Sequence, residues 1–83
     1  MSYKEKEQVD IKAEFDCIVE DTHWMNGSSV RQGDKVLTLN CMKMMQEVTA
    51  PCAGKLEYQI TRGDYVYEGQ TLAVVSPVDT SEQ

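Results

Sequence analysis

The 83-residue chain contains few residues with which a catalytic or membrane-spanning protein could be built, including one phenylalanine, one tryptophan and one histidine. No apolar run approaches the roughly 18 residues of a membrane span, and the polar start, MSYKEKEQVD, lacks the apolar segment of a signal peptide. Basic residues are also scarce, because eight lysines and arginines stand against fourteen acidic residues and leave a net charge of -6. This balance argues against binding to nucleic acid or to anionic membranes. We therefore predict a cytoplasmic protein that neither binds nucleic acid nor inserts into a membrane.

Cysteine is scarce as well. Cys17, Cys41 and Cys52 are odd in number and lack C-x-x-C spacing, so we expect reduced, mostly buried thiols. A metal or redox site on these cysteines and His23 is an alternative, but it requires them to converge in space. The pattern puts Cys17 and Cys52 on different strands and Cys41 near a turn, so no metal site is predicted.

The length of the chain suits one domain that is close to the lower limit for burying its own core. A cavity that encloses both a substrate and catalytic groups is not expected at this size. The chain is therefore not expected to be a self-sufficient enzyme.

The chain does contain an internal repeat, which is its most informative feature. GSSVRQGDKV (27–36) and GDYVYEGQTL (63–72) both read G-x-x-V-x-x-G-[DQ]-x-[VL], at an offset of 36 residues. Upstream, CIVE (17–20) aligns with GKLE (54–57) only after a shift of one residue. Glycine before a polar residue predicts a turn, because glycine takes positive φ readily. Two copies of one unit predict two halves related by an approximate two-fold axis.

Between the turns, apolar residues alternate with polar ones, which is typical of strands with one buried face. The alternation from Ile11 to Val19 would bury Phe15, and Met45 is expected in the core. Further strands are predicted at 36–39, 45–50, 55–60 and 71–75, and no segment has a helical period. The predicted fold is all-β: a flattened β-barrel or sandwich of two four-stranded halves related by a pseudo-two-fold axis. The predicted domain covers residues 11–76, between a flexible N-terminal arm (1–10) and a flexible C-terminal tail (77–83).

The repeat also predicts where Lys43 lies. Adding 36 to its number gives Asp79, which follows the final strand. A two-fold axis would therefore place the turn that carries Lys43 at the opposite end of the domain from the chain termini.

The central motif and its surroundings resemble the biotinyl domains of biotin-dependent carboxylases. The family's A-M-K-M tetrad is read here as Cys41-Met42-Lys43-Met44, followed by APCAGKL (50–56) and by the closing repeat from Gly63 to Leu72. The resemblance implies a barrel-sandwich hybrid fold with biotin attached covalently to Lys43. It also implies that Met42 and Met44 are recognised by the ligase and the carboxylase. The chain departs from the family at Asn40 and Cys41, where glutamate and alanine are usual, which could weaken recognition by the ligase; at Cys41 we expect packing like that of the alanine.

The resemblance further implies a non-catalytic carrier. Its implied partners are a biotin protein ligase, a biotin carboxylase and a carboxyltransferase. On this interpretation, carboxybiotin on Lys43 travels between the carboxylase and the transferase, and the carrier raises effective concentration. We expect the isolated domain to be a monomer and the chain to be a separate subunit. The segment EDTHWMNG (20–27) is too short for the protruding thumb of some carriers, so a thumbless domain is predicted, with Trp24 covering the edge of the core.

Two alternatives remain at this point. A lipoyl domain has the same repeat, but its turn usually reads D-K-A, and the methionines on both sides of Lys43 disfavour it. An unmodified docking or assembly module would keep the scaffold without attaching any group, and the departures at Asn40 and Cys41 leave room for it.

Overall fold

The computed structural model describes residues 8–77, which form eight strands and no helix. The strands are β1 Val9–Lys12, β2 Cys17–Thr22, β3 Ser29–Val30, β4 Lys35–Cys41, β5 Met44–Thr49, β6 Gly54–Tyr58, β7 Tyr65–Val66 and β8 Thr71–Ser76. They form two four-stranded antiparallel sheets, one with the order β1-β8-β6-β3 and the other with the order β5-β4-β2-β7. The all-β prediction of two four-stranded halves is confirmed. The described residues include no helix that is long and apolar enough to cross a membrane.

The chain crosses from one sheet to the other where the alternation predicted one continuous strand. β1 ends at Lys12, and β2 begins at Cys17 in the second sheet. Ala13 stays buried and its N–H donates to the carbonyl of Gln70 at 2.9 Å, whereas Phe15 is 49% exposed. The prediction that Phe15 is buried was wrong, because it lies in the crossover rather than on the inner face of a strand.

The first strand also begins earlier than predicted. Val9 and Asp10 belong to β1 and pair with β8. The predicted start of the domain at residue 11 is therefore two residues too late. The rest of the predicted arm and all but Pro77 of the predicted tail lie outside the described residues.

The pairing registers relate the two halves in the way that the repeat predicts. Leu39 of β4 lies opposite Val19 of β2, and Val75 of β8 lies opposite Leu56 of β6. Leu39 and Val75 are separated by the repeat offset of 36 residues. The strand orders also correspond. β5, β4, β2 and β7 of one sheet take the same places as β1, β8, β6 and β3 of the other. The two halves therefore share one pairing pattern as well as one sequence pattern.

The one-residue shift in the upstream alignment has a structural cause. The register of β2 against β4 shifts between Val19 and Asp21, which marks a β-bulge. Val19 occupies the position of Leu56, 37 residues later, whereas Asp21 occupies that of Glu57, 36 residues later. Glu20 is therefore the additional residue in the first half.

Equivalent glycines form the turns that lead into the long central strands. Gly33 and Gly69 have φ values of 93° and 87°, which a residue with a Cβ rarely adopts. The N–H of Gly33 donates to Ala50 at 2.9 Å, and the N–H of Gly69 donates to Ala13 at 2.8 Å. These matched bonds fasten each turn to the end of the neighbouring outer strand.

Inward-facing side chains from both sheets form one core. Burying a large aliphatic side chain stabilises a fold by about 1.5–3 kcal/mol, so this cluster makes the main favourable contribution to the free energy of folding. The largest fully buried aliphatic residues lie at positions or on strands that the repeat relates to each other. They are Leu37, Leu39, Leu56, Leu72, Val19, Val36, Val66 and Val75.

One glycine is required by close packing. A Cβ placed on Gly54 would lie 2.3 Å from the carbonyl oxygen of Ser76 and 2.9 Å from the Cα of Pro77. The start of β6 therefore packs directly against the end of β8, and only glycine fits between these backbones.

The connection between β2 and β3 is short, as predicted for a thumbless domain, and it is held by side-chain hydrogen bonds. The indole N–H of Trp24 donates to the carbonyl of Lys35 at 2.9 Å, and the ring is 38% exposed. The phenol of Tyr58 accepts from the backbone N–H of Trp24 at 3.1 Å and donates to the carbonyl of Val36. Burial raises the pKa of Tyr58 above its usual value, which keeps this donor protonated.

His23 lies at the start of the same connection. Its Nε2 is 2.8 Å from the hydroxyl oxygen of Thr38, and its Nδ1 is 4.0 Å from a carboxylate oxygen of Asp21. These contacts tie the connection to β2 and β4.

Candidate functional site

Lys43 occupies the tip of the hairpin formed by β4 and β5. Cys41 lies opposite Met44, so the turn between them contains only Met42 and Lys43. Lys43 is exposed, and no hydrogen bond or ion pair to its Nζ is formed by the residues that the structure describes. A two-residue turn projects its side chains beyond the sheet, so the amine of Lys43 is accessible to another protein.

Met42 adopts an unusual backbone conformation in this turn. Its φ is 27°, and it is the one residue other than glycine with positive φ among residues 8–77. Two-residue hairpin turns favour glycine, asparagine or aspartate at such positions, and other side chains are strained there. Strained residues concentrate at functional sites, and Met42 is 88% exposed, so the predicted recognition of its side chain can be tested by substitution.

This strain leads to a prediction about Met42. We expect Met42→Asn to leave the free energy of unfolding unchanged or to raise it by up to about 1 kcal/mol, because asparagine tolerates positive φ better than methionine. Modification of Lys43 should nevertheless slow, because the thioether is lost. Chemical denaturation and the rate of modification by a biotin ligase measure the two effects. Met25→Asn, at a methionine that is 79% exposed in another loop, is the matched control and should retain the wild-type rate. A Met42→Asn protein modified at the wild-type rate would contradict a recognition role.

The Lys43 turn lies far from the described end of the chain. β4 has seven residues and therefore spans about 20 Å. At its other end, the N–H of Ala50 donates to Asp34, and the chain continues from Ala50 to Gly54, which packs against Ser76. The lysine is thus held outward from the end at which β8 finishes, while its predicted counterpart Asp79 lies outside the described residues.

An open depression of about 420 Å³ surrounds the turn. The exposed ring of Phe15 contributes apolar surface to it, and Asp16 and Glu68 contribute acidic surface. A carboxylate oxygen of Asp16 accepts from the backbone N–H of Glu68 at 2.8 Å, which joins the β1–β2 and β7–β8 connections beside the turn. The sequence did not point to these three residues, because two separate connections bring them together. The lining consists of Phe15, Asp16, Cys41, Met42, Lys43, Met44 and Glu68.

The cysteines differ from the prediction. Cys17 and Cys41 are joined by a disulfide, with their Cα atoms 4.2 Å apart, and both are buried. The pairing of Ile18 with Asn40 places the two cysteines directly opposite each other on β2 and β4. The expectations that these thiols are reduced, that they do not converge and that Cys41 packs like an alanine were therefore wrong. Cys52 is free and half-buried.

The disulfide lies directly beneath the lysine turn. Cys41 is the last residue of β4, and Cys17 is the first residue of β2. The bond therefore fixes the base of the Lys43 hairpin to the neighbouring strand. Among the described residues, no group of three or more histidine, cysteine, aspartate or glutamate side chains is arranged to hold a metal ion.

Met45 also differs from the prediction. It is 54% exposed, whereas Gln46 and Val48 of the same strand are half-buried. The two-residue turn sets this register, because it places Met45 opposite Asn40, whose side chain faces outward. The prediction that Met45 belongs to the core was wrong by one position in the alternation.

Together, the sandwich of two related sheets and the exposed lysine at a hairpin tip define a domain of the type that displays one side chain for covalent modification. The biotin/lipoyl family, described as "Biotin-requiring enzyme", matches residues 11–75. The chain belongs to this family of biotin or lipoyl attachment domains.

Solved structures with the same fold include two carboxylases and one lipoyl domain. A single-chain, multi-domain long-chain acyl-CoA carboxylase has a TM-score of 0.77 at 23% identity, over 100% of this chain and 8% of that one. The urea carboxylase of Kluyveromyces lactis has a TM-score of 0.77 at 25% identity, over 90% of this chain and 7% of that one. The lipoyl domain of the 2-oxoglutarate dehydrogenase complex from Azotobacter vinelandii has a TM-score of 0.75 at 27% identity, over 86% of this chain and 99% of that one.

The chain thus spans less than a tenth of the length of these two carboxylases, 8% and 7% respectively. A comparison with curated protein sequences finds no significant match.

Proposed function

We propose that this chain is a biotin carboxyl carrier in which Lys43 is the site of biotin attachment. The observation that carries the proposal is an exposed lysine at the tip of a two-residue turn, flanked by Met42 and Met44, in a chain of the biotin/lipoyl family. The carboxylases among the structures with this fold support the carboxylase context.

The residues around the turn suit the attachment of biotin. The amine of Lys43 is accessible to a ligase, which would use ATP to activate the carboxyl group of biotin as an adenylate. The nitrogen would then attack the carboxyl carbon and form an amide, with release of AMP and of one proton from the amine. The apolar surface of Met42, Met44 and Phe15 beside it would contact an enzyme that surrounds the turn. Methionine side chains are flexible and polarizable, and so adapt to more than one partner surface.

In this proposal the domain is not itself catalytic. Bound biotin would supply the ring nitrogen that accepts and releases a carboxyl group. The domain holds the attachment point on a rigid sheet, keeps the side chain in solvent and limits its distance from each partner enzyme. The partners are a biotin protein ligase, a biotin carboxylase and a carboxyltransferase, and tethering raises the effective concentration of the carried group at the latter two.

Lipoylation of Lys43 is the second candidate function. It is favoured by the similarity to a lipoyl domain that this chain covers almost entirely, at 99% of that chain. The methionines on both sides of Lys43 favour biotin instead, because the turn of a lipoyl domain usually reads D-K-A.

Intact mass spectrometry distinguishes these functions. We expect the protein to gain the mass of one biotinyl group after incubation with a biotin ligase, biotin and Mg-ATP, and to remain unmodified with a lipoate ligase and lipoate. A lipoyl adduct in place of the biotinyl adduct would show a lipoyl domain. An unchanged mass with both active ligases would favour a docking module that carries no group.

A further inference from the structure

A row of exposed side chains crosses the outer face of the sheet that carries Lys43. Tyr65 of β7 lies opposite Ile18 of β2, Ile18 lies opposite Asn40 of β4, and Asn40 lies opposite Met45 of β5. The neighbours of these residues along the strands are largely buried, so the four side chains point away from the core. Tyr65, Ile18 and Met45, called here the apolar row, are 51%, 44% and 54% exposed.

The apolar row is continuous with the attachment site. Met45 follows Lys43 by two residues, a distance of about 7 Å along an extended strand. Tyr65 and Met45 lie on the two outer strands of this four-stranded sheet, so about 14 Å separates them across the sheet. Tyr67 extends the apolar surface beyond Tyr65, with the two ring centroids 4.9 Å apart. An exposed apolar surface of this kind is typical of a site that contacts another protein.

The other half of the molecule shows that the fold does not require apolar residues at these positions. The equivalent row on the other sheet, β1-β8-β6-β3, contains Ser29, Lys55, Ser76 and Gln8. Ser29 lies opposite Lys55, Lys55 lies opposite Ser76, and the side-chain amide of Gln8 donates to the Ser76 hydroxyl at 3.2 Å. Both halves have the same strand order and equivalent registers, yet this row is wholly polar. Strand propensity therefore does not explain the apolar row, which lies only on the half that carries Lys43.

The charges around the apolar row indicate the chemistry of its partner. Lys43 is the cation at the tip, and its charge disappears once its nitrogen forms an amide. The exposed side chains beside the row and the tip include four carboxylates, none of which forms an ion pair with a described lysine or arginine. A complementary surface is apolar at its centre and basic at its border. The carboxylates belong to Asp16, Glu20, Asp64 and Glu68.

We propose that the apolar row is the docking surface for the biotin carboxylase that acts on the group carried by Lys43. This inference rests on the proposed carrier function. An active site that binds ATP and bicarbonate, which are both anions, needs cationic residues near its entrance. The acidic border beside Lys43 complements such an entrance, and the apolar row supplies the contact area that holds the tip against it.

The test replaces the apolar row with the residues of the polar half. In the triple variant, Tyr65→Ser, Ile18→Lys and Met45→Gln introduce the side chains found at the equivalent positions. The matched control makes three alanine substitutions in the polar row, Ser29→Ala, Lys55→Ala and Ser76→Ala. Each protein is loaded with a biotin ligase and then titrated as the substrate of a biotin carboxylase, with ATP and bicarbonate, to obtain kcat and KM for the carrier.

We expect the triple variant to raise KM for the carrier at least tenfold with kcat little changed, while the control retains the wild-type KM. Loading by the ligase should stay within about twofold of the wild-type rate. Raising the ionic strength should raise the wild-type KM, because the acidic border is screened. Circular dichroism shows whether each variant is folded. If the triple variant does not fold, the single variant Ile18→Lys tests docking with only one exposed side chain changed, and its KM should also rise.

An unchanged KM in a folded triple variant, or an equal rise in the control, would overturn the inference. So would a large fall in ligase loading with an unchanged KM, because the row would then serve the ligase instead. Failure of the wild-type protein to accept biotin would instead refute the carrier function on which the inference rests.

Discussion

Lys43→Arg should abolish biotinylation of the protein while leaving its fold intact. The side chain lies at the exposed tip of a two-residue turn, and no described residue forms a hydrogen bond or ion pair with its Nζ. An arginine would therefore be accommodated without loss of packing. Its guanidinium keeps its proton at any physiological pH and so offers no nucleophilic amine. Incubation with a biotin ligase followed by avidin blotting should give no signal.

Lys55→Arg is the matched control for this prediction. Lys55 is also exposed and lies on β6, the strand equivalent to β2, on the sheet without the hairpin. The control should be biotinylated at the wild-type rate and to the wild-type extent. If avidin reactivity persists in Lys43→Arg but is lost in another lysine variant, biotin is attached to that other lysine and the assignment to Lys43 is refuted.

Removal of the Cys17–Cys41 disulfide should lower the stability of the domain by about 2–4 kcal/mol. The bond joins residues separated by 24 positions, and it restricts the unfolded chain. A domain of this size loses roughly 4–8 °C in Tm for each kcal/mol, so the expected fall is roughly 8–32 °C. We would compare thermal unfolding of the wild-type protein and a Cys17→Ser, Cys41→Ser double variant, with and without a reductant.

The double variant should unfold at one temperature under both conditions, and the reductant should bring the wild-type protein close to it. Cys52→Ser is the control, because Cys52 lies outside the disulfide, and this variant should keep its sensitivity to the reductant. Alkylation of the unfolded protein gives a second measurement, with one reactive thiol before reduction and all three cysteines after it. The prediction would be contradicted if three thiols of the wild-type protein reacted before reduction, or if the reductant left the wild-type Tm unchanged.

The buried sulfurs also have acceptors available in the reduced state. The Sγ of Cys17 is 3.3 Å from the carbonyl of Phe15, and the Sγ of Cys41 is 3.9 Å from the side-chain oxygen of Gln46. A thiol could donate weakly at either distance. Reduction should therefore lower the stability of the fold without leaving these two groups unsatisfied.

The features that could be predicted from the sequence are those specified by short segments of the chain. The glycine pattern predicted the turns, because positive φ is a local requirement that Gly33 and Gly69 meet. Its recurrence at an offset of 36 residues predicted two related halves, and the motif around Lys43 predicted an exposed lysine at a hairpin tip. Each of these conclusions follows from the conformational freedom of a few residues or from the repetition of a pattern.

Errors arose where the outcome depended on which residues face each other across strands. Met45 was placed in the core because the alternation alone does not show that the turn contains only two residues. Cys17 and Cys41 were expected to be apart because their separation along the chain does not show that β2 and β4 are neighbours. Phe15 was expected in a strand, although the chain crosses between sheets there.

The repeat, the turns and the exposed lysine were thus readable from the chain because they depend on local backbone geometry. The disulfide, the acidic and aromatic surroundings of Lys43 and the apolar row required the tertiary structure. Strand register decides them, since a shift of one residue moves every side chain to the opposite face of a sheet. That register is set by the packing of both halves around one core, which no single segment of the chain contains.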